Sequence, residues 1–177
     1  PSEDLQEASR EGRAIAKIYR DLGFQVTLLV GAAVTWTALS EALPGASVFH
    51  YAGHGAREAD RWGGDALVLA EQTRLTAADL LLLPEAPRYV VLTGCRTAAE
   101  PGVGLSLAEA LLMAGTNSVV AASRAASDQA SAQLGLCLAR QLGPRLGDRG
   151  DGGPLEESWK ACASPESHEE GYELWVR

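Results

Sequence analysis

Apolar positions along the chain follow two patterns, one typical of helices and one typical of buried strands. Between residues 3 and 22, apolar residues recur at spacings of three and four with charged residues between them, which predicts an amphipathic helix. Gly23 follows at the position where a helix commonly ends. Short, continuous apolar runs bounded by Gly, Pro or polar residues predict strands buried on both faces. The predicted strands are residues 24–30, 46–52, 67–69, 89–93, 118–122 and 172–176.

Helices are predicted between most of these strands. Thr35 and Thr76 are suited to cap a first helical turn, because a threonine hydroxyl can accept a hydrogen bond from a free backbone N–H. The predicted helices cover residues 36–43, 77–83, 106–114, 129–142 and 155–163, and the Gly-, Asp- and Arg-rich stretch 143–154 is interpreted as a loop. Strands that alternate with helices form right-handed βαβ units. The pattern therefore predicts an α/β fold, with a mostly parallel sheet and helices on both of its faces.

Length and composition are those of a single globular domain. The 177 residues are 46% hydrophobic, enough for a core, which excludes disorder as the main state. The apolar runs are too short to cross a bilayer, and acids at positions 3 and 4 stand where a signal peptide carries Lys or Arg. The three cysteines, Cys95, Cys137 and Cys162, are an odd number without metal-type spacing, which argues against a disulfide framework and favours a reducing cytoplasm.

The charge balance excludes one class of partner. The chain has 15 basic and 23 acidic residues and a net charge of −8, whereas binding a nucleic-acid backbone requires clustered Lys and Arg. A basic peptide or protein is compatible as a partner through the field of the whole domain. Lys17 and Lys160 are the only lysines, and Ala and Arg are abundant, a bias typical of a GC-rich bacterial genome.

Two of the predicted strands end in short motifs with chemically active side chains. The strand over 46–52 is followed by Gly53, His54 and Gly55, and the strand over 89–93 is followed by Gly94 and Cys95. In α/β sheets, functional groups collect beyond the carboxyl ends of parallel strands, and neighbouring strands lie about 4.8 Å apart. His54 and Cys95 are therefore expected to face each other across one edge of the sheet.

A cysteine beside a histidine is the arrangement that thiol nucleophilic catalysis requires. The thiolate attacks, and a neighbouring imidazole stabilises it or protonates a leaving amine. The N–H groups of Gly55 and Cys95 are expected near a developing oxyanion, where the loss of one donor costs about 3–4 kcal/mol. The alternative for each residue alone is structural. A buried cysteine after a core strand is usually inert packing, and a histidine between glycines is usually an ordinary loop residue.

The two motifs resemble those of the CHAT domain, the caspase-like module found beside tetratricopeptide repeats and other sensor domains. VFHYAGHG at 48–55 is similar to the family's aliphatic strand ending in H-x-A-x-H-G, and VVLTGCRT at 90–97 to its strand ending in a small residue and then C-x-T. Stretches 35–43 and 102–120 resemble the neighbouring elements of the family. The resemblance implies a three-layer caspase-like sandwich. It also implies that His54 is the catalytic histidine, Cys95 the nucleophile and Gly55 an oxyanion-binding glycine, with His50 structural.

The resemblance further locates a substrate pocket after the strand over 118–122. Relatives that cleave after Arg or Lys carry an acid in this region, and here that acid is Asp128. Ser123, Arg124 and Asp128 are the predicted substrate-binding residues, with Asp128 recognising a basic P1 side chain through charge-assisted hydrogen bonds. Arg124 stands where the family commonly has Trp. The alternatives are that Asp128 caps the helix beginning near Gln129, that Arg124 neutralises Asp128, or that Arg124 selects an acidic P1 residue.

These features predict a cysteine endopeptidase that cleaves a protein or peptide substrate through the His54–Cys95 dyad, without a metal or cofactor. Family members have a further strand before the first helix and are joined to sensor domains. The resemblance therefore implies that residues 1–177 form one domain of a larger chain, with an upstream strand and a regulatory sensor domain or partner. The alternative is a catalytically inactive caspase-like module that acts in protein–protein interaction or signalling. We expect no direct nucleic-acid or membrane binding and a cytoplasmic location.

Overall fold

The computed structural model describes residues 3–57, 64–94, 105–124, 126–147 and 153–177. Helices and strands alternate through most of these ranges, as the apolar pattern predicts. The elements are α1 (Glu3–Asp21), α2 (Trp36–Ala42), β1 (Val48–Tyr51), β2 (Gly55–Arg57), β3 (Asp65–Val68), β4 (Arg74–Thr76), α3 (Ala77–Leu81), β5 (Tyr89–Leu92), α4 (Leu107–Ala114), β6 (Ser118–Ala122), α5 (Asp128–Arg145), α6 (Pro154–Cys162), α7 (Pro165–Glu169) and β7 (Tyr172–Val176).

The main sheet has the strand order β1-β5-β6-β7. Strands β1, β5 and β6 are parallel, and β7 closes the sheet antiparallel to β6. Four of the predicted strands therefore belong to this sheet. The carboxyl ends of β1, β5 and β6 lie at one edge, because parallel strands that pair in register end on the same side.

Helices cover both faces of the main sheet. Successive side chains of β5 point to opposite faces, so that Leu92 joins a core cluster with Leu111 of α4, while Val91 joins a second cluster with Leu138 of α5. Helix α1 packs against α5 on that second face. The structure thus confirms the predicted α/β sandwich of three layers with a mostly parallel sheet.

Polar side chains fix where several helices begin. Thr35 and Thr76 accept hydrogen bonds from the backbone N–H groups of Ala38 and Asp79, which confirms both predicted caps. Asp79 bonds back to the N–H of Thr76, and Ser106 forms the same reciprocal arrangement at the start of α4. These caps satisfy N–H groups that a helix leaves unpaired in its first turn.

A second, three-stranded antiparallel sheet with the order β2-β3-β4 follows β1 in the chain. The sequence predicted a short strand or ribbon at 67–69, and the structure has β3 at this point, beginning two residues earlier. Strands β2 and β4 were not predicted, because three residues each are too few to display a period of two. Strand β2 begins at Gly55, so this sheet continues directly from the histidine motif.

The predicted strand over residues 24–30 is wrong, since this segment belongs to neither sheet. Phe24 and Val26 pack on a small core cluster with α1 and α5, and Leu29 packs on the cluster around α4. The segment thus buries apolar side chains, which is the signal that the pattern detected. A strand also needs a hydrogen-bonded neighbour, and among the described residues the segment has none.

Helix boundaries differ from the prediction in the last third of the chain. Helix α5 continues through Gly143 to Arg145, so the predicted loop at 143–154 begins too early. Gly143 is buried and lies so close to Leu22 that a Cβ atom would collide with that side chain. This glycine allows two helices to approach rather than ending one. The short helix α7 was not predicted.

The expectation of an unbridged set of cysteines is also wrong. Cys137 of α5 and Cys162 at the end of α6 form a disulfide bond, with their Cα atoms 5.8 Å apart. The prediction failed because an odd number of cysteines does not exclude one disulfide: two of the three can bond, and Cys95 is the third. Reducing compartments keep most thiols free, so cysteine usage no longer favours a cytoplasmic location.

Candidate active site

Strands β1 and β5 bring the two predicted motifs to the same edge of the main sheet. Tyr51 and Leu92, the last residues of these strands, are register partners. His54 follows Tyr51 by three positions, and Cys95 follows Leu92 by three positions. Both motifs therefore leave the sheet at the same level. Cys95 itself lies outside the described residues, whereas its neighbour Gly94 is described and buried.

The two strand ends touch through glycine backbone. A Cβ atom on Gly94 would collide with the carbonyl oxygen of Gly53, and it would lie 3.3 Å from the ring of Tyr51. A Cβ atom on Gly53 would lie 2.7 Å from the Tyr51 hydroxyl oxygen. A side chain at Gly94 would push this residue away from the segment that leads to His54, and a side chain at Gly53 would collide with the ring of Tyr51. The glycines at 53 and 94 therefore permit the close approach of the two segments.

The side chain of Tyr51 fixes the histidine loop, residues 52–54, through hydrogen bonds. Its hydroxyl donates to the carbonyl oxygens of His54, at 2.9 Å, and of Val68 in β3, at 2.8 Å. The ring is buried, and this burial raises the pKa of the Tyr51 phenol well above its ordinary value, so the group stays a neutral donor. Tyr51 was not predicted to belong to the site, because a tyrosine on a buried strand is typical of core packing.

His54 is exposed, and its backbone is fixed although its imidazole faces solvent. The N–H of Val68 donates to the His54 carbonyl oxygen at 2.9 Å. Gly55 lies opposite Leu67 in the antiparallel register. Because the Val68 N–H bonds to the residue before Gly55, Gly55 and Leu67 form a non-hydrogen-bonded pair of the ladder. The N–H of Gly55 consequently points away from β3, so the hydrogen-bond ladder does not occupy the donor that is predicted to bind an oxyanion.

A buried polar cluster lies beneath the end of β5. The carboxylate of Glu11 in α1 accepts a hydrogen bond from the Thr93 hydroxyl at 2.7 Å and lies 3.1 Å from Nε2 of His50. His50 was predicted to be structural, whereas Glu11 and Thr93 were missed. The signal for Glu11 was present in the sequence. It lies at helical spacing between Ala8 and Ile15, where a carboxylate interrupts the apolar stripe of α1.

The predicted substrate-binding residues follow β6 at the same sheet edge. The Ser123 hydroxyl donates to the Gly171 carbonyl oxygen at 3.1 Å, and the Arg124 guanidinium donates to the His168 carbonyl oxygen at 3.3 Å. Arg124 also packs on Gly171, where a Cβ atom would lie 3.0 Å from its Nε. Ser123 is thus bound to the turn between α7 and β7, and the Arg124 guanidinium to a carbonyl group in the last turn of α7.

Asp128 is the first residue of α5, and it is exposed. The N-cap of this helix is Ser127, whose hydroxyl accepts from the Ala130 N–H at 3.3 Å. The capping alternative for Asp128 is therefore wrong, because the cap position is already occupied. Among the described residues, no cation forms an ion pair with Asp128, and Arg124 bonds elsewhere. The carboxylate is stabilised by its place in the first turn of a helix and is otherwise open to solvent.

A histidine motif and a cysteine motif on adjacent parallel strands, within an α/β sandwich of this topology, define a caspase-like, peptidase-related domain. The comparison with known families agrees with this class. The family model described as the CHAT domain matches residues 2–144, and the chain belongs to this family. No curated protein matches the chain significantly. None of the helices in the described part of the chain combines the length and the apolar composition that crossing a membrane requires.

Proposed function

We propose that this domain is a cysteine endopeptidase in which Cys95 is the nucleophile and His54 the general acid and base. One observation carries the proposal. The register of β1 with β5 sets His54 and Cys95 three positions beyond paired residues of adjacent parallel strands. Close contact between Gly53 and Gly94 supports it, since the two loops meet directly after their strands. Membership of a caspase-like family gives further support.

The proposed reaction proceeds through an acyl-enzyme. The Cys95 thiolate attacks the scissile carbonyl carbon and forms a C–S bond, while the N–H groups of Gly55 and Cys95 bind the oxyanion. His54 donates its proton to the leaving amine as the C–N bond breaks. His54 then accepts a proton from a water molecule as the water oxygen attacks the thioester carbon. The C–S bond breaks, the acid product leaves and loses its proton to solvent, and the Cys95 thiolate and protonated His54 are restored. The orientation of the Gly55 N–H away from β3 supports its part in this scheme.

We propose that Asp128 selects a basic P1 side chain, Arg or Lys. Its carboxylate is exposed, is unpaired among the described residues, and follows a strand that ends at the same sheet edge as His54. Arg124 is bound to a carbonyl group in the last turn of α7, which supports a free negative charge at this position. A charge-assisted hydrogen bond contributes about 1.5–3 kcal/mol, so the carboxylate is sufficient to decide between a cationic and a neutral P1 residue.

The proposal includes control by a sensor domain or partner and an additional strand upstream of α1. The edge of β1 opposite β5 has no ladder partner in the part of the chain described here, and the neighbouring segment 24–30 is not in the sheet. This open edge supports a further strand at that position. Adding the natural upstream sequence should then raise resistance to urea, and an unchanged midpoint would contradict this part of the proposal.

A peptide panel that varies only at P1 tests the activity. We expect cleavage after Arg or Lys by the wild-type protein, and no cleavage by Cys95→Ala or His54→Ala. Asp128→Asn should lower kcat/KM for the basic peptides by about 10- to 100-fold. Glu41→Gln is the matched control, because it removes one exposed carboxylate on α2, which leads to the opposite edge of the sheet.

The other outcomes of the panel are equally informative. Cleavage after an acidic or neutral residue would keep the peptidase and refute the role of Asp128. An absence of Cys95-dependent cleavage with every peptide, together with equal alkylation of Cys95 in the wild type and in His54→Ala, would refute the dyad. That result would favour an inactive module that acts by binding other proteins.

A further inference from the structure

A carboxylate, an imidazole and a hydroxyl meet in the interior of the protein. Oε1 of Glu11 lies 3.1 Å from Nε2 of His50 and 2.7 Å from the hydroxyl oxygen of Thr93. The Thr93 hydroxyl lies 3.3 Å from the same imidazole nitrogen. The side chains of Glu11 and His50 are only 5% and 9% exposed. We call these three residues the Glu11 cluster.

The fold makes room for the Glu11 cluster at a specific glycine. A Cβ atom on Gly135 of α5 would collide with Oε1 of Glu11 and would lie 3.1 Å from Cε1 of His50. Nδ1 of His50 is buried and has no hydrogen-bond partner among the described residues. Buried charged and polar groups of this kind seldom raise stability above that of an apolar core of the same volume. Burial alone therefore does not show what the cluster does, and its location in the fold has to decide its role.

The location of the cluster indicates this role. Thr93 is the first residue after β5, and Gly94 and Cys95 follow it directly. The N–H and the hydroxyl of Thr93 both reach the carbonyl oxygen of Tyr51, at 2.9 Å and 3.1 Å. Glu11 accepts from the same hydroxyl. The point where β5 leaves the sheet is thus bonded to β1 and, through Glu11, to helix α1.

We propose that the Glu11 cluster fixes the chain at Thr93 and Gly94, and so sets the place of Cys95, the next residue, relative to His54. This inference rests on the proposed function. Glu11 and His50 are buried, and they act through Thr93 rather than on a substrate, so they are positioning residues. The cluster joins α1, β1 and the end of β5 by hydrogen bonds, close to the carboxyl ends of the strands that lead to both motifs.

The chain contains a matched control at the opposite end of the sheet. The hydroxyl of Ser118, the first residue of β6, donates to the carboxylate of Glu156 in α6 at 2.5 Å. This is also a bond between a buried hydroxyl and a carboxylate across two elements. Loss of the Ser118 hydroxyl should lower stability much as loss of the Thr93 hydroxyl does. Only the change at Thr93 should alter the cysteine.

The test measures the second-order rate constant for alkylation of Cys95 by iodoacetamide in the unreduced protein. Cys137 and Cys162 are bonded to each other, so Cys95 is the thiol that reacts. Thr93→Val should slow alkylation by about fivefold, the factor that one hydrogen bond contributes to an equilibrium. Thr93→Ser, which keeps the hydroxyl, should stay within about twofold of the wild type, and so should Ser118→Ala.

The result that overturns the inference is equal or faster alkylation in Thr93→Val than in Ser118→Ala. If Thr93→Val does not fold, Glu11→Met replaces it, since it keeps a similar volume and removes the oxygen that accepts from the Thr93 hydroxyl, and the same slowing is expected. Failure of the proposed function appears separately, as an absence of Cys95-dependent peptide cleavage by the wild-type protein. A slowed Thr93→Val in a protein without peptidase activity would keep the positioning role and reject the peptidase.

Discussion

The hydroxyl of Tyr51 offers a single-atom test of how the histidine loop is held. Tyr51→Phe removes one oxygen and leaves the ring in its place under Gly53 and Gly94. The lost contacts are the hydrogen bonds to the carbonyl oxygens of His54, at 2.9 Å, and of Val68, at 2.8 Å. The ring packing is retained, so the change isolates the hydrogen bonds from the hydrophobic burial.

The expected loss in the free energy of unfolding is moderate. One hydroxyl proton is shared between two carbonyl oxygens, and the His54 oxygen keeps its bond from the Val68 N–H. The loss should therefore be about 1–2 kcal/mol, between that of an average hydrogen bond and that of a fully orphaned buried group. For a chain of this size, such a loss lowers Tm by about 4 °C. The His54 loop should also loosen, and peptide cleavage should fall by up to about tenfold.

Tyr19 provides the matched control for this experiment. It is as buried as Tyr51, at 7% exposure for both, and its hydroxyl makes no hydrogen bond to a described residue. Tyr19→Phe should therefore leave the free energy of unfolding nearly unchanged. Urea denaturation followed by circular dichroism measures both variants. If Tyr51→Phe were no less stable than Tyr19→Phe, the hydrogen bonds of Tyr51 would contribute nothing and the reasoning would be refuted.

The same two variants also test how the free energy of unfolding depends on pH. Burial raises the pKa of both phenols above the ordinary value of 10.0 in the folded protein. In the unfolded chain the same phenols are exposed and ionise with the ordinary pKa. A raised pKa in the folded state gives stability that is fully present below pH 10 and is lost as the pH rises above it. Each tyrosine should contribute a decline of about 1.4 kcal/mol per pH unit. Stability curves above pH 10 should be shallower in either variant, and unchanged slopes would contradict the assignment.

Two further changes test the backbone contact and the disulfide. Gly94→Ala should abolish peptide cleavage and lower stability, because the added Cβ atom collides with the Gly53 carbonyl group. Gly12→Ala in α1 is the control, because the added Cβ atom has its nearest contact at 3.7 Å. This change should raise stability by about 0.5–1 kcal/mol. Urea unfolding and the peptide assay measure this pair, and tolerance of alanine at Gly94 would contradict the close approach. Replacing Cys137 and Cys162 by serine should cost about 3.5 kcal/mol for a separation of 25 residues. Thiol titration of the denatured, unreduced protein should find a single free thiol per chain, and finding three would show that the bond is absent.

The fold was predictable where local signals agreed with each other. Strand β6 was predicted with its observed bounds, and the caps at Thr35 and Thr76 marked two helix starts. The predictions failed where tertiary contacts decide. Residues 24–30 have a strand's composition without a paired neighbour, and Gly143 looked like a helix breaker although it serves close packing with α1. Neither fact is visible in the periodicity, because both depend on what lies beside the segment.

The two motifs of the candidate site were predictable from the sequence, whereas most of the residues that hydrogen-bond to these motifs were not. His54, Gly55 and Gly94 stand out because reactive or flexible residues follow a buried strand. Tyr51 and Thr93 do not, since their types are common on strands and their partners lie elsewhere in the chain. Two supports carried a signal: His50 through its place in the histidine motif, and Glu11 as a carboxylate on the apolar face of an amphipathic helix.

Tyr51 connects the two halves of the site, and this explains why its supports are polar. Its carbonyl oxygen accepts from the Thr93 N–H, and its hydroxyl donates to the carbonyl oxygen of His54. The backbone ladder joins β1 and β5 only as far as the strands extend, and apolar packing beyond them is not directional and tolerates small shifts. Hydrogen bonds from a rigid ring and from a strand end fix distances and angles. A site that must hold two loops in one geometry therefore accepts buried polar groups that a purely structural core would replace.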